Sequence, residues 1–273
     1  MREFRHFPGR LTQGTGNQFD FYPLRYAASP AEGANVTEEI ASVDAYHRSI
    51  DAVITEVLDG GVVLDRTVFY PRGGGQPGDT GVLQSPAGDI PIVDTFKKGG
   101  KLLHAFESGN PEPGTNVKAV IDWERRHTLM RTHTALHALS AIIWRDFDAK
   151  VTGGNMEPGS ARMDFELDAI SVDFGREVES VLNRELQKGL PVHVHFLARE
   201  AALADPDLIR TKVNLLPDFI DPIRVIEIEG LDKQADGGTH VGSTAEVGQV
   251  AVVKTESKGK ANKRIRIELT ADA

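Results

Sequence analysis

The feature that most constrains the fold of this chain is a change of pattern at Asp122. Aspartate is a favoured helix N-cap, and residues 123–144 contain no glycine or proline that would interrupt a helix. Leucine and isoleucine recur along this stretch at helical spacing, which gives the predicted helix an apolar face. Before Asp122, short apolar runs flank glycine-rich turns and show no helical period. The pattern therefore predicts a strand-rich unit followed by a unit built around one long helix.

The two units together predict an α+β fold with a small N-terminal β-barrel. Residues 36–119 are expected to form the barrel, with hairpin turns at Asp59-Gly60-Gly61 and Lys98-Gly99-Gly100. Residues 120–273 are expected to form an α+β domain whose second helix covers 176–187. The strands of this second domain are predicted near residues 192–196, 224–228, 251–254 and 265–269.

Composition limits the functions that this chain can have. Its 273 residues include no cysteine, which excludes disulfides, thiolate nucleophiles and cysteine metal ligands. The net charge of −9 means that any contact with nucleic acid must use a local basic patch. No apolar run is long enough to cross a bilayer, so we expect a cytoplasmic protein with no membrane partner and no obligate protein partner. Residues 1–35, rich in glycine and proline, are predicted to be a disordered leader.

The first candidate site lies on the predicted long helix, in the sequence Arg131-Thr132-His133-Thr134-Ala135-Leu136-His137. Residues four apart lie on one face of a helix, so His133 and His137 can chelate one metal ion. The alternative is a pair of polar helix residues without a ligand. The glutamate of a zinc-peptidase HExxH helix is missing, which disfavours peptidase chemistry.

The second candidate site is Asp236-Gly237-Gly238-Thr239-His240. Two glycines allow the backbone to bring Asp236 and His240 around a common point, although a simple diglycine turn remains the alternative. Combined with the helix pair, this predicts one metal site formed by His133, His137, Asp236 and His240. Three imidazoles and a carboxylate suit zinc, and also iron or manganese, so the residues alone leave the ion open.

These two pairs resemble the editing domain of alanyl-tRNA synthetase, and more closely the free-standing alanyl-tRNA editing proteins called AlaX. Three other segments share the resemblance: the glycine-rich stretch 65–79, Arg162-Met163-Asp164-Phe165, and the basic stretch 254–264. The resemblance covers roughly residues 40–270 in the same order, and the length suits the medium-sized form. It implies a β-barrel followed by an editing domain of the alanyl/threonyl-tRNA synthetase additional-domain type.

The resemblance also implies zinc as the cofactor and assigns further residues. The family often has cysteine where this chain has Asp236, so Asp236 either binds the ion or supports one of its ligands. Gly73, Gly74 and Gly75 are expected to line the editing cleft rather than form a phosphate loop, because no Gly-Lys-Ser or Gly-Lys-Thr follows. Thr67 and Gln76 are the catalytic candidates, Thr67 as a sensor of a substrate hydroxyl. The alternatives are a strand residue and a loop amide.

A basic run near the C-terminus is the candidate RNA contact. Residues 254–266 hold six basic side chains against Glu256, a net charge of +5. Solvated surface charge is the alternative, but beside an editing site such a run is expected to contact the phosphates of the tRNA(Ala) acceptor end. The expected contacts are Arg131, Lys258, Lys260, Lys263 and Arg264. By contrast, His193 and His195 share one face of a predicted strand but have no evident third ligand, so they are interpreted as strand or surface residues.

The predicted function is trans-editing, the hydrolysis of mischarged Ser-tRNA(Ala), with Gly-tRNA(Ala) as a second candidate substrate. Serine is alanine plus one hydroxyl, which a small pocket cannot strongly exclude, so a second hydrolytic site has to correct the product. Two alternatives remain: a metal-stabilised tRNA-binding module without catalysis, and a metallohydrolase of a small acylated molecule.

Overall fold

The structure is a computed structural model that describes residues 36–205, 208 and 220–270. The leader predicted over residues 1–35 lies outside the described residues. None of the described helices is long and apolar enough to span a membrane.

The first part of the described chain contains a closed barrel of six strands. The strands up to residue 121 are β1 (Glu38–Glu39), β2 (Ser49–Leu58), β3 (Gly61–Leu64), β4 (Arg66–Thr67), β5 (Gly81–Gln84), β6 (Ile90–Lys98), β7 (Lys101–Phe106) and β8 (Asn116–Ile121). The barrel order is β2-β3-β7-β6-β5-β8, and β1 pairs in parallel with β4 beside it. Both predicted hairpins are confirmed, and Gly99 and Gly100 each have a positive φ, as a tight hairpin turn requires.

Helix α1 (Trp123–Phe147) begins immediately after the barrel, as the sequence predicts. The Asp122 side chain accepts a hydrogen bond of 3.1 Å from the Arg125 N–H, which confirms the N-cap. The helix is three residues longer than predicted and is buried on nearly all sides from Leu129 to Ile143. It is therefore the centre of the second unit rather than a surface helix with one apolar face.

Two antiparallel sheets and two shorter helices complete the second unit. The remaining elements are β9 (Val151–Glu157), β10 (Ser160–Phe165), α2 (Val172–Leu186), β11 (Val192–Leu197), α3 (Arg199–Ala204), β12 (Ile223–Ile228), β13 (Asp232–Ala235), β14 (Val250–Gly259) and β15 (Asn262–Leu269). The sheet orders are β14-β15-β10-β9 and β11-β12-β13. The fold is therefore α+β with a closed barrel, and β9 and β13 each lie at the end of a sheet.

Helix α2 begins four residues earlier than predicted. The Ser171 hydroxyl caps it by accepting from the Phe174 N–H at 3.0 Å. Gly175 lies in the first turn, where a glycine ordinarily argues against a helix. A Cβ at this position would lie 2.8 Å from the Thr255 side chain, so the glycine lets α2 approach β14 closely.

Each unit has its own apolar core, and a buried ion pair joins the two. Trp123 packs against both cores. The guanidinium of Arg126, on α1, lies against the carboxylate of Asp79 in the loop before β5, and both side chains are almost fully buried. Strand β8 ends at Ile121, one residue past the expected start of the second domain at residue 120. The division into domains 36–119 and 120–273 stays a prediction.

Candidate metal centre

The structure brings the two predicted ligand pairs together in one cluster. Single ligand atoms of His133, His137, Asp236 and His240 all lie within 4.8 Å of one another. Helix α1 provides the first two residues, and the loop after β13 provides the other two. The three imidazole rings lie 4.3 to 5.2 Å apart between centroids. The cluster is largely buried, so an ion held there would contact little bulk water.

Each histidine of the cluster has one nitrogen held by a neighbouring oxygen. The Nδ1 atoms of His133, His137 and His240 lie 3.0 Å from Gln76 Oε1, 2.9 Å from Asp232 Oδ2 and 3.2 Å from Thr134 Oγ1, respectively. The Nε2 atoms of two rings face Asp236, at 3.6 Å from His133 and 3.1 Å from His240. Outer partners of this kind fix the orientation and tautomer of metal-binding histidines. The arrangement therefore fits a metal ion bound through Nε2.

Gln76 connects the barrel to the cluster. Its Oε1 accepts from His133 Nδ1 and from the Thr239 N–H, each at 3.0 Å, and its Nε2 donates to the Thr239 hydroxyl at 2.8 Å. All of its polar atoms are thus used behind the ring of His133, on the nitrogen opposite to the one that faces Asp236. These contacts are those of a residue that positions a ligand.

Thr67, the other catalytic candidate, lies elsewhere. Its hydroxyl is 2.8 Å from His104 Nε2 and accepts from the Phe69 N–H at 3.0 Å, inside the barrel. Its side chain is fully buried, and Thr67 is not among the residues that line the cavity described below. No local sequence pattern indicates this contact, because His104 lies 37 residues further along the chain.

Burial sets the protonation of the cluster. It lowers the pKa of His133 to about 4, against the opposing effect of Asp236, and it lowers the pKa of His240 well below its usual value. Burial opposes ionisation of Asp236, but the three neighbouring imidazoles outweigh it and hold the pKa of this carboxyl well below its usual range. The Gly238 N–H also donates to Asp236 Oδ2 at 2.6 Å. At neutral pH His133, His240 and Asp236 are thus in the forms that bind a divalent cation, neutral imidazole and ionised carboxylate.

In the diglycine of the second motif, Gly238 is required because a side chain has no room there, and not because of its backbone conformation. Neither Gly237 nor Gly238 has a positive φ. A Cβ at Gly238 would overlap the ring of His133 and lie 2.8 Å from Gln76 Oε1, whereas a Cβ at Gly237 would have no described atom within 4 Å. Asp236 and His240 do meet at a common point, as predicted, and the close approach of the His133 ring is the reason for a glycine at 238.

A cavity of about 550 Å³ opens beside the cluster. Its walls come from α1, from the two end strands β9 and β13, and from Gly74 and Gly75 of the barrel loop. The Gly75 carbonyl accepts from the Met156 N–H at 3.2 Å, which joins this loop to β9. Gly73 instead pairs with Gln76 within the loop. Besides three residues of the cluster, the polar side chains of the lining are Ser140, Thr152, Asn155 and Gln234, which the sequence analysis missed.

Most of the expected RNA contacts have partners within the protein. Arg131 donates twice to the Val247 carbonyl, at 3.0 and 2.9 Å. Lys263 is buried, and its Nζ donates to backbone carbonyls of the β14–β15 turn, one of them at 2.7 Å. Arg264 forms a two-pronged ion pair with Asp164, at 2.7 and 2.8 Å. Lys258 and Lys260 have exposed side chains. Charge counting along the sequence could not reveal these carbonyl and carboxylate partners.

Comparison with known families matches both units. The model of tRNA synthetases class II (A) matches residues 22–125. The model of the threonyl and alanyl tRNA synthetase second additional domain matches residues 223–266. The two matches place the chain in the class of proteins that share domains with threonyl and alanyl tRNA synthetases.

Comparison with individual relatives identifies the family within this class. An alanyl-tRNA editing protein AlaX-M of Saccharolobus solfataricus is 37% identical over 84% of this chain and 98% of its own length. A second AlaX-M protein, of Methanosarcina barkeri, is 35% identical over 86% of this chain and 99% of its own length. An alanine–tRNA ligase of Pyrobaculum neutrophilum is 36% identical over 84% of this chain but only 27% of the ligase. The chain belongs to the AlaX-M family of alanyl-tRNA editing proteins.

Proposed function

We propose that this protein hydrolyses the ester bond of mischarged tRNA(Ala), with Ser-tRNA(Ala) as substrate and Gly-tRNA(Ala) as a second candidate. The observation that supports this most is the buried cluster of three histidines and an aspartate beside an open cavity, in a chain of the AlaX-M family. A filled structural metal site needs no such cavity, which favours an enzyme over a binding module.

The proposed cofactor is one zinc ion, held by His133, His137, His240 and Asp236. Imidazole and carboxylate are ordinary zinc ligands, and the outer partners of the histidines are those of a metal site. Such an ion supplies a positive charge that can activate water, polarise the ester or anchor the terminal nucleotide. Asp236 belongs in the ligand set because its two oxygens face two different imidazoles. Loss of bound zinc in Asp236→Ala tests this, and full retention of the ion would move Asp236 out of the set.

The cavity offers polar groups for a seryl hydroxyl. Ser140 is one helical turn beyond His137 and lines the cavity together with Gln234. The Gln234 amide donates to Asp232 at 2.8 Å and lies 3.5 Å from the Ser140 hydroxyl. Thr67 uses its hydroxyl within the barrel, so Ser140 and Gln234 are the better candidates for recognising the side chain that distinguishes serine from alanine.

The proposed RNA contacts are Lys258, at the end of β14 and 3.9 Å from Glu256, and Lys260 on the following turn, with Gly74 and Gly75 lining the cleft for the acylated end. Lysines at this position bind phosphates without reading bases. The role of the other three expected contacts in RNA binding is indirect. The contacts of Arg131, Lys263 and Arg264 within the protein hold the neighbouring surface in place. The turn extends from the sheet that ends at β9, which lines the cavity. Binding of tRNA is therefore expected to weaken as salt increases.

The deciding experiment measures the lifetimes of Ser-, Gly- and Ala-tRNA(Ala) with the wild type and with His137→Ala. The wild type should shorten the lifetime of the seryl ester and spare the alanyl ester. His137→Ala should be slower by at least about 10²-fold, because an ion contributes several kcal/mol to the transition state. His127→Ala changes a half-buried histidine of the same helix outside the cluster; it is the matched control and should retain activity. Equal lifetimes with and without the wild type would end the proposal.

A further inference from the structure

A second cluster of metal-type side chains lies on the three-stranded sheet, away from the candidate metal centre. His193 and His195 alternate on β11, Glu227 lies on the neighbouring strand β12, and Glu229 follows one residue after the end of β12. His193 is the direct cross-strand partner of Glu227, so all four side chains share one face. Strand β11 and strand β13, which borders the candidate metal centre, lie at opposite ends of this sheet, so the two clusters are separate.

The contacts within this second cluster already pair imidazole with carboxylate. The Nε2 of His195 lies 2.9 Å from Glu227, and the Nε2 of His193 lies 3.5 Å from Glu229. The two imidazole centroids are 6.0 Å apart. Lys233 lies opposite Glu227 on β13. Its ammonium group pairs with Asp205 at 3.8 Å, so its charge is paired with a carboxylate other than Glu227.

One of these imidazole–carboxylate contacts is close but is not a hydrogen bond. The Nε2 of His195 is buried and has no hydrogen-bond partner among the described residues, although a Glu227 oxygen is only 2.9 Å away. A buried ring nitrogen facing a carboxylate without a hydrogen bond is costly, and a cation bound by both groups removes that cost. His193 is half exposed, so its ring can turn from Glu229 towards the same point.

We propose that His193, His195 and Glu227, with Glu229 at the rim, form a second binding site for a divalent transition-metal ion. Imidazole and carboxylate ligands suit zinc, nickel or copper. Histidines two apart on a strand point the same way, which allows one ion to be held by both. An ion here ties β11 to β12 and stabilises the sheet whose other end lines the cavity. This site is independent of the proposed editing function.

Zinc titration of the full-length protein, monitored by calorimetry and by metal content after dialysis, tests the proposal. The wild type should bind one more ion per chain than His193→Asn/His195→Asn. Glu227→Gln should weaken binding of that ion by at least about tenfold. His127→Asn is the matched control, because His127 faces a single carboxylate, Glu246, at 3.5 Å. This control should bind the same number of ions as the wild type.

The outcomes separate the two sites. His137→Ala should retain the additional ion even where it loses the ion of the candidate metal centre. The double histidine variant should keep its circular dichroism spectrum and its deacylation rate. Equal zinc content in the wild type and the folded double variant would overturn the proposal, as would loss of the additional ion in His127→Asn.

Discussion

At the scale of single residues, the orientation of the candidate ligands depends on groups from three parts of the chain. Gln76 comes from the barrel, Thr134 from α1 and Asp232 from β13, and each faces a different histidine. All three are buried, so none of them exchanges this contact for water. The ligands are therefore held in place before an ion binds, which reduces the cost of ordering them.

Gly238→Ala should weaken metal binding by at least about tenfold, because the added methyl group overlaps His133 and presses on Gln76. Zinc affinity measured by competition with a chelator is the readout. Gly237→Ala is the matched control, since its methyl group meets no described atom within 4 Å. Equal zinc affinity of the two variants would contradict the close packing at Gly238.

The four clustered residues were predictable and their supports were not. Spacing on a helix places His133 beside His137, and a short loop keeps Asp236 near His240, so local geometry accounts for each pair, though not for the meeting of the two pairs. Gln76 and His133 are 57 residues apart, and His137 and Asp232 are 95 apart. Such contacts depend on how the barrel and β13 dock against α1, which no local pattern encodes.

At the scale of elements, the buried pair of Arg126 and Asp79 joins helix α1 to the barrel. Arg126 also donates to the backbone carbonyls of Val68, at 2.7 Å, and Ala45, at 3.0 Å. The guanidinium thus binds three separate segments that lead into or out of barrel strands.

Arg126→Met should lower the free energy of unfolding by about 3–5 kcal/mol, because it leaves the Asp79 carboxylate buried without its cation. Urea denaturation measures the change. Arg176→Met is the control: its partner Asp173 is 89% exposed, so the loss should stay below about 1 kcal/mol. Similar losses for both variants would contradict a specific role for the buried pair.

His104, inside the barrel, makes stability depend on pH. Burial lowers its pKa to about 4, although the Val62 carbonyl opposes the shift. The unfolded chain therefore binds more protons than the native state between about pH 6.5 and 4, and stability falls as the pH is lowered through this window. For this one histidine, the free energy of unfolding falls by about 3 kcal/mol across the window. His104→Gln should lose less stability than the wild type between pH 7 and 4, and identical losses would contradict this.

Elements with a strong local pattern were predicted, and those with mixed signals were not. The N-cap and unbroken run of α1 and the glycine turns of the hairpins are local features. Strand β9 contains Gly153 and Gly154, which resemble a turn in isolation. It forms a strand because it pairs with β10, and its small residues leave room for the cavity.

At the scale of the whole molecule, removal of metal should abolish deacylation without unfolding the protein. The two apolar cores contain most of the buried side chains, and the candidate metal centre lies at the edge of one of them. Chelation followed by circular dichroism and activity measurement should show a native spectrum, a lower melting temperature and no deacylation. Complete unfolding on chelation would instead favour a purely structural ion.

The hydrogen bond that Gln76 Oε1, from the barrel, accepts from His133 limits how this protein can be divided. A fragment beginning at α1 would keep all three histidines but lose the amide that orients one of them. The smallest fragment that could be fused to another enzyme with its histidines correctly oriented therefore starts upstream of the barrel. Combining either unit with a unit from another protein would lose the contact between Gln76 and His133, even if each unit folded.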